Sequence, residues 1–514
     1  MATMKRILCL LVTGWIVSIP AFARLVELTI LHTTDLHGHI WPTATYEGQA
    51  DVGGVLRCAA RIGQLRAEIP NTLLIDCGDT FQGAPESYLT DGRLLIDALN
   101  ELAYDAWVLG NHEIDWGTKL LRARHDQVEV PFLAANLGFP SPEANWLPKV
   151  QPFVIREVDG IRVAIIGLTT PGIPRWSRSH LLDGALFRGS VETLGAVMPM
   201  VKAERPDVIV AAVHQGFRNR GDDFANEVKA IAAAFPEIDV MLGGHTHTPV
   251  EDMRYGPVLY SQAGYYGIWL GRVSLTYDTV RKTVVEKKGA LELMDASVPY
   301  HEGLLARWSN ELAAAAAELD QPWTEWGERL DPAPDAIGRS SMQQLIAAAI
   351  AKASGADFVL HGSLDDKPLE PGALQRRDAW RIVPYENTIG VVSLTPQEIR
   401  EILADNHKRP LGAMSLGPYG FTYEVAAGAD GRPVIGELRD LEGKPLHARK
   451  RYRVAMNSYV LASGGERNLA ARRLADQPES RLEMLPFDTR GAVMDFMREQ
   501  AAKRTTVKEP VHAP

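Results

Sequence analysis

Five short clusters bring together side chains that could bind a cation: Asp35-Leu36-His37, Gly78-Asp79, Gly110-Asn111-His112-Glu113, His214 and Gly243-Gly244-His245-Thr246-His247. Carboxylate, imidazole and amide oxygen together suit divalent metals of intermediate hardness, such as Mn, Fe, Co or Zn, better than calcium. The glycines beside them let the backbone turn sharply where a β-carbon would crowd an ion. Singly the clusters say little, since Asp-x-His is more often a turn beside a core imidazole and Gly-Asp is usually a turn. Their recurrence in order, each at the end of an apolar run, is what points to one metal-binding edge. His32 and His39 lie next to these donors but point elsewhere by strand or turn geometry. His125, His180, His301, His361, His407, His447 and His512 carry no partner motif and read as surface or core residues.

The runs that must position these donors alternate between strand and helix from Arg24 to about Asp278. VELTILHTTD, NTLLIDCGD, AWVLGNHE, FLAAN, IRVAIIGL, DVIVAAVHQG and EIDVMLGGHTH rise through β-branched or aliphatic residues, and most end in a polar cluster. Helix-period segments such as Leu94 to Leu102 and Phe224 to Ala234 lie between them. This predicts α/β layers with both sheet faces covered and a site at strand C-terminal ends. PVLYSQAG (257–264) and YYGIWLGRVSLTYD (265–278) are expected as antiparallel strands closing the domain. Leu304, Leu305, Trp308, Leu312 and Leu319 share one face of a helix that Gln321-Pro322 stops. Expected boundaries are a domain over 24–290, a connecting helix over 291–325, a second domain over 326–504 and a tail over 505–514. In the second domain Ser341-Met-Gln-Gln344 resembles a capping box for an alanine-rich helix ending near Gly355, Asp357 to Leu360 reads as a strand, and Thr395-Pro-Gln-Glu398 opens another helix. The last helix is expected over about Thr489 to Ala502, with fraying after Arg504.

Composition sets the outer limits. With 514 residues, 46% hydrophobic and 23% charged, the chain is neither disordered, coiled-coil nor collagen-like. Its length suits about two to four domains. A net charge of −10, spread through the chain without an acidic tail, argues against a nucleic-acid scaffold or a basic membrane-surface protein. Lys5 and Arg6, the apolar run Ile7 to Ile19 and Ala21-Phe22-Ala23 read as a signal peptide over residues 1–23, with an uncleaved anchor as the alternative. Without it the balance is 52 basic against 64 acidic residues, or −12. No later stretch is long and apolar enough to span a bilayer, so an exported soluble protein is expected. Cys58 and Cys77 could form one disulfide; two buried free thiols are the plainer reading.

On these motifs the chain resembles the secreted bacterial 5′-nucleotidase/UDP-sugar hydrolase family, over nearly all of its length after residue 23. The resemblance implies an α/β fold: a layered αββα calcineurin-like metallophosphoesterase domain, a linker helix and a smaller α+β 5′-nucleotidase C-terminal domain. It implies two divalent metal ions, Mn, Zn, Co or Fe. The first would take Asp35, His37, Asp79 and His247; the second would take Asp79, Asn111, His214 and His245, with Asp79 bridging. Some members place Gln where His247 stands. A water bridging two such cations ionises near neutral pH and can attack phosphorus in line. With Asn111 serving as ligand, His112 is free to face the phosphoryl group, and Asp115 can orient and charge it; Asp115 could also cap a helix over Trp116 to Arg122. The implied protein is a periplasmic or secreted monomer hydrolysing nucleotides.

The C-terminal half departs from the family's pattern. Where members carry Gly-Gly-Gly-x-Arg, residues 359–366 read Val-Leu-His-Gly-Ser-Leu-Asp-Asp, without the arginine. RIVPYENTIGVVSLTPQEI (381–399) matches well. Gly464-Gly465-Glu466-Arg467-Asn468 lacks the family's aromatic, and Tyr459 stands one residue from the usual clamp position at Val460. Tyr419 or Phe421 could supply the other clamp, and Arg376, Arg377 or Arg467 could take over anion binding, with surface solvation as their plainer role. Hence a different substrate stays open: a cyclic nucleotide, a sugar phosphate or a protein-bound thiosulfonate, the last because sulfur-oxidation thiosulfohydrolases share the two-domain plan. An inactive binding protein is the remaining alternative.

Overall fold

The computed structural model describes residues 24–177, 182–384, 387–428, 432–463 and 467–508. The expected signal peptide, His180, Gly464 to Glu466 and His512 lie outside them. The first domain is built on twelve strands: β1 (Leu25–Thr33), β2 (Thr72–Asp76), β3 (Ala106–Val108), β4 (Phe132–Leu133), β5 (Phe153–Val158), β6 (Ile161–Leu168), β7 (Val208–Val213), β8 (Val240–Gly243), β9 (Pro249–Tyr255), β10 (Val258–Ala263), β11 (Trp269–Asp278) and β12 (Thr283–Leu293). They form two six-stranded sheets, in the orders β12-β11-β1-β2-β3-β4 and β9-β10-β8-β7-β6-β5. Ile30, Ile75 and Val108 of the first sheet meet Val163, Val210 and Val240 of the second in the core between them. Strands buried on both faces must read as continuous apolar runs, which is why VIVAAV (208–213) shows no alternation.

Helices cover both outer faces. α1 (Val55–Glu68), α2 (Arg93–Glu101) and α3 (Thr118–Gln127) set Leu56, Ile62, Leu95, Leu99 and Leu121 against Trp107. α4 (Ser190–Ala203) and α5 (Val228–Ala234) set Leu194, Val201, Val228 and Ile231 against the other sheet. The layering is the expected αββα. Residues 257–264 and 265–278 supply the expected strands with antiparallel partners, each in a different sheet. β10 runs parallel to β8 and antiparallel to β9, while β11 lies in the opposite sheet, antiparallel to β1 and β12. Gly264 and Gly267, both at positive φ, carry the chain across from one sheet to the other.

Neither cysteine is bridged. Cys77 sits in the core between the sheets and Cys58 in the core under the first helical layer, so a sheet separates the two regions and the disulfide does not form. The linker is two helices, α6 (Glu302–Arg307) and α7 (Ser309–Leu319), that break at Trp308. His301 Nδ1 caps the first by accepting the Leu304 N–H at 3.1 Å, and Trp308 donates to Asp97 at 2.7 Å, which ties the linker to the first domain.

The second domain has a five-stranded sheet of β13 (Phe358–His361), β14 (Thr388–Leu394), β15 (Gly417–Tyr419), β16 (Tyr452–Asn457) and β17 (Glu483–Asp488), in the order β15-β13-β16-β14-β17. Its helices are α8 (Ser341–Ser354), α9 (Arg376–Ile382), α10 (Pro396–Asn406), α11 (Leu469–Ala475) and α12 (Thr489–Lys508). The cap of α8 is Ser340, one residue before the expected box, and Gly355 closes it in the left-handed region. The Thr395–Glu398 box is present in both directions. The last helix runs six residues past its expected end, to Lys508. Among the described residues no helix is long and apolar enough to cross a membrane.

Candidate metal centre

β1, β2 and β3 are mutually parallel, with Thr33 opposite Asp76 and Asp76 opposite Trp107, so Asp35, Asp79 and Asn111 leave the first sheet at one edge. β6, β7 and β8 are likewise parallel, with Val213 opposite Leu168 and Ala212 opposite Leu242; His214, His245 and His247 leave the second sheet at the same end of the sandwich. Five of the seven candidate ligands take positive φ themselves: Asp35 at 50°, His37 at 46°, Asp79 at 55°, His245 at 69° and His247 at 52°. Such conformations cost of order 1–3 kcal/mol each in non-glycine residues and cluster at functional sites. The neighbouring glycines answer a different need. A Cβ on Gly110 would stand 2.2 Å from Asp79 Oδ1 and 2.6 Å from Glu113 Oε2, and one on Gly78 would stand 2.7 Å from Gly110 N.

The donors converge. Asp35, His37 and His247 form one group close enough to share an ion, and Asp79, His214 and His245 another. Asp79 Oδ2 lies 3.0 Å from His214 Nε2 and 3.7 Å from His37 Nε2, which places it between the groups. His247 Nε2 is 3.3 Å from Asp35 Oδ1 and 3.1 Å from His37 Nε2; His214 Nε2 is 3.1 Å from Asn111 Oδ1. The tautomers follow from the backbone. His37 Nδ1 donates to the Gln82 carbonyl at 2.8 Å and His214 Nδ1 to the Cys77 carbonyl at 2.7 Å, so in the neutral rings both Nε2 lone pairs point at other lone pairs. Only a proton or a cation between them relieves that arrangement, and two buried carboxylates with five neutral nitrogen or amide donors fit divalent cations of the kind that the residue types suggest.

Electrostatics agree. Burial holds His37 down at about 4 and His245 well below its ordinary value, leaving the neutral imidazoles that ligation needs. Burial works against a charged His214 too, but Asp79 outweighs it and keeps this ring protonated up to about 9. Burial alone would raise Asp79; His214, His112 and His37 hold it well below the carboxylate range. A cation entering beside His214 must displace its proton, so metal affinity should fall as pH drops below about 9. Calorimetric titration of metal-free protein with Mn²⁺ should give tighter binding, with proton release, at about pH 8 than at about pH 6. Equal affinities would contradict the placement of His214.

His112 stands at the rim. Its side chain is 36% exposed and its Nδ1 lies 2.6 Å from Asp115 Oδ2, while its ring packs edge-on to His37 at 5.1 Å. Its backbone N–H donates to Asp79 Oδ1 at 2.8 Å. Burial opposes the imidazolium, but Asp115 and Asp79 prevail and raise His112 to about 10. Asp115 does not cap a helix: α3 starts at Thr118 behind Gly117, with no side-chain cap.

Two supporting residues have no assigned role in the motif reading. Glu113, fully buried, accepts backbone N–H groups of Asp79 at 3.0 Å, Thr80 at 2.6 Å and Gly110 at 2.7 Å, pinning the β2 and β3 exit turns together. A carboxylate inside a buried Gly-Asn-His-Glu motif was the available signal. Tyr46 OH bonds His247 Nδ1 at 2.6 Å from a distant loop, which no spacing rule reveals. Glu113→Gln puts an amide N–H against these donors; it should weaken metal binding by about 10–100-fold, as loss of supporting contacts typically does. Competition with a chelating dye measures this, and unchanged affinity would deny Glu113 the role.

The residues expected to hold substrate scatter. Arg376 pairs with Glu318 and Arg377 with Asp320, both on the linker side. Phe421 is 1% exposed and packs edge-on against Phe358 at 4.9 Å; it is a core residue, which corrects its reading as a clamp. Tyr419 is half-buried against the same domain's core. Tyr459 is exposed, and Arg467 lines a cavity with Arg220 of the first domain. His361, in the segment that departs from the family, is buried, with Nδ1 at 2.7 Å from the Gly362 carbonyl and Nε2 at 3.1 Å from Asn457.

Comparison with known proteins fits this division. The calcineurin-like phosphoesterase family matches residues 28–249, and the 5′-nucleotidase C-terminal domain matches residues 316–472. A 5′-nucleotidase of Vibrio cholerae is 26% identical over 496 residues, covering 85% of each chain. The solved 5′-nucleotidase precursor of Thermus thermophilus superposes with a TM-score of 0.69 at 24% identity, covering 93% of this chain and 97% of that one. The sulfate thiohydrolase SoxB of the same organism shares the fold, with a TM-score of 0.64 at 18% identity, over 92% and 94% of the two chains. The chain thus joins a calcineurin-like phosphoesterase domain to a 5′-nucleotidase C-terminal domain, the layout of an ester-bond hydrolase.

Proposed function

We propose that this protein is an exported 5′-nucleotidase-type phosphatase that releases phosphate from nucleotides with two divalent cations. Asp35, His37, Asp79 and His247 would hold one cation, and Asp79, Asn111, His214 and His245 the other. Bound there, the pair would supply an ionised water at neutral pH and offset charge on the phosphoryl oxygens. The protein's own contribution is positioning. Glu113 locks the turns that carry Asp79 and Gly110, and the His112 N–H fixes one Asp79 oxygen, leaving the other toward His37 and His214. His112, charged and steadied by Asp115, is placed to stabilise the phosphoryl group or protonate the leaving oxygen. The protein would act as a monomer. Residues 1–23 would direct export to the periplasm or medium.

The observation that carries the reading is Asp79 lying within 4 Å of imidazoles from both ligand groups. Purified protein lacking residues 1–23, supplied with Mn²⁺, Co²⁺ or Zn²⁺, should release phosphate from AMP and lose that activity to a chelator. Failure on AMP and on p-nitrophenyl phosphate alike would reject it. A second reading, the same hydrolysis on another leaving group, is favoured by residues 359–366, where no arginine stands and Asp365 and Asp366 do.

A further inference from the structure

We propose that the leaving-group side of this site accepts a substrate carrying a second phosphate-like oxyanion, one that stays on the leaving group when the phosphoester is cut. This rests on the phosphoester-hydrolase reading above and adds the charge of what departs. The reaction needs no co-reactant beyond water: a water oxygen bonds to phosphorus, the ester P–O bond breaks, and the leaving oxygen takes a proton while the second anion is untouched.

A cavity of about 220 Å³ opens between the two domains. Complete small-molecule sites usually measure about 300–1,000 Å³, so this one suits part of a ligand. Arg220, from the loop after β7, enters from the first domain; Lys408 and Arg409, beyond the end of α10, and Arg467, before α11, enter from the second. Among the described residues the one carboxylate in the lining, Asp405, is already committed: it accepts Lys408 Nζ at 2.8 Å and the Ala470 N–H at 3.1 Å. Among the described residues neither Arg220 nor Arg467 has a hydrogen-bond or ion-pair partner. Elsewhere the arginines of this acidic chain are mostly paired. Two unpaired guanidiniums and two further cations around one recess repel each other, and a low-dielectric cleft focuses that field on an entering anion. Guanidinium forks match the oxygens of a phosphate group, two bonds to each fork. Among the described residues no aromatic ring lines the recess; Met414 is among its few apolar members. A neutral nucleoside would therefore find neither a stacking partner nor a use for the cations.

The recess is also near the metal centre. Arg220 is six residues beyond His214, a reach of at most about 20 Å at roughly 3.3–3.6 Å per residue. A chain of rings closes the distance from the other side: Trp176 lies 4.9 Å from the ring of His245, Phe224 lies 5.6 Å from Trp176, and the Arg472 guanidinium of α11 sits 3.8 Å over Phe224. The loop from His214 to Phe224 thus borders the ligands at one end and the cationic recess at the other.

The test compares adenosine 3′,5′-bisphosphate with AMP, using kcat/KM for 5′-phosphate release, in the metal-loaded protein and in Arg467→Gln and Arg220→Gln. The bisphosphate should be preferred at least tenfold, and each substitution should cut that ratio at least fivefold, as should raising the ionic strength. No preference for the bisphosphate, or a ratio that neither substitution changes, overturns the proposal. Calorimetric binding of adenosine 3′,5′-bisphosphate against adenosine gives a second reading that needs no turnover: binding of the bisphosphate alone, weakened in Arg467→Gln, supports the recess, and equal binding of both rejects it. If p-nitrophenyl phosphate and AMP are both inert while this binding difference holds, the hydrolase reading fails and the anion site stands.

Discussion

Asp79→Asn is expected to lower kcat at least about 10³-fold, well beyond the ~10–100-fold typical of a supporting residue, while the protein stays folded. The side chain is 1% exposed, lies between both ligand groups and is the one carboxylate that each cation would share. An amide keeps the shape and can still accept the His112 N–H, but it removes the negative charge that both dications would share. Metal content should fall together with turnover, and thermal unfolding should show a cooperative transition as in the parent. Retained activity with one cation per chain would mean that Asp79 is not shared.

His112→Asn is the second large effect. General acid–base groups contribute about 10²–10⁴-fold, and the substitution should cost turnover at least tenfold, with metal content unchanged because Asn111 is the proposed ligand of that motif. The pH dependence separates an acid from a spacer. His112 is held up at about 10 by Asp115 and Asp79 against the effect of burial, so it is charged at neutral pH and active as a donor; activity that needs this proton is constant below the His112 pKa and falls as pH rises through it. Asp115→Asn removes the nearest anion, which lowers that pKa and moves the alkaline decline to lower pH. Profiles of kcat against pH for both proteins check this, and a decline that stays in place would assign Asp115 a purely structural part.

Much of the scaffold could be read from residue order alone, because buried parallel strands leave an unmistakable signature: uninterrupted β-branched runs ending in glycine and polar residues. Thr395-Pro-Gln-Glu398 shows the same at short range, since a capping box is a local interaction. Errors arose where structure depends on partners far along the chain. Residues 257–278 were legible as strands closing the domain, but their division between two sheets at Gly264 and Gly267 was not. Phe421 is aromatic near a substrate segment, but only the packing of Phe358 shows that it faces the core. The candidate metal ligands stand out in the sequence as types and spacing; their left-handed backbone, the Glu113 lock and the Tyr46–His247 contact do not, as each depends on how separate strand ends meet. Arg220 and Arg467, 247 residues apart, share a cavity for the same reason.

The central claim is that one aspartate joins two cation sites at the common edge of the two sheets. Anomalous diffraction from crystals of the Mn²⁺-loaded protein tests it most directly. The expected result is two peaks per chain on either side of Asp79, one among Asp35, His37 and His247 and the other among Asn111, His214 and His245. A single peak at full occupancy under excess metal, or two peaks of which one lacks Asp79 as a ligand, would contradict it.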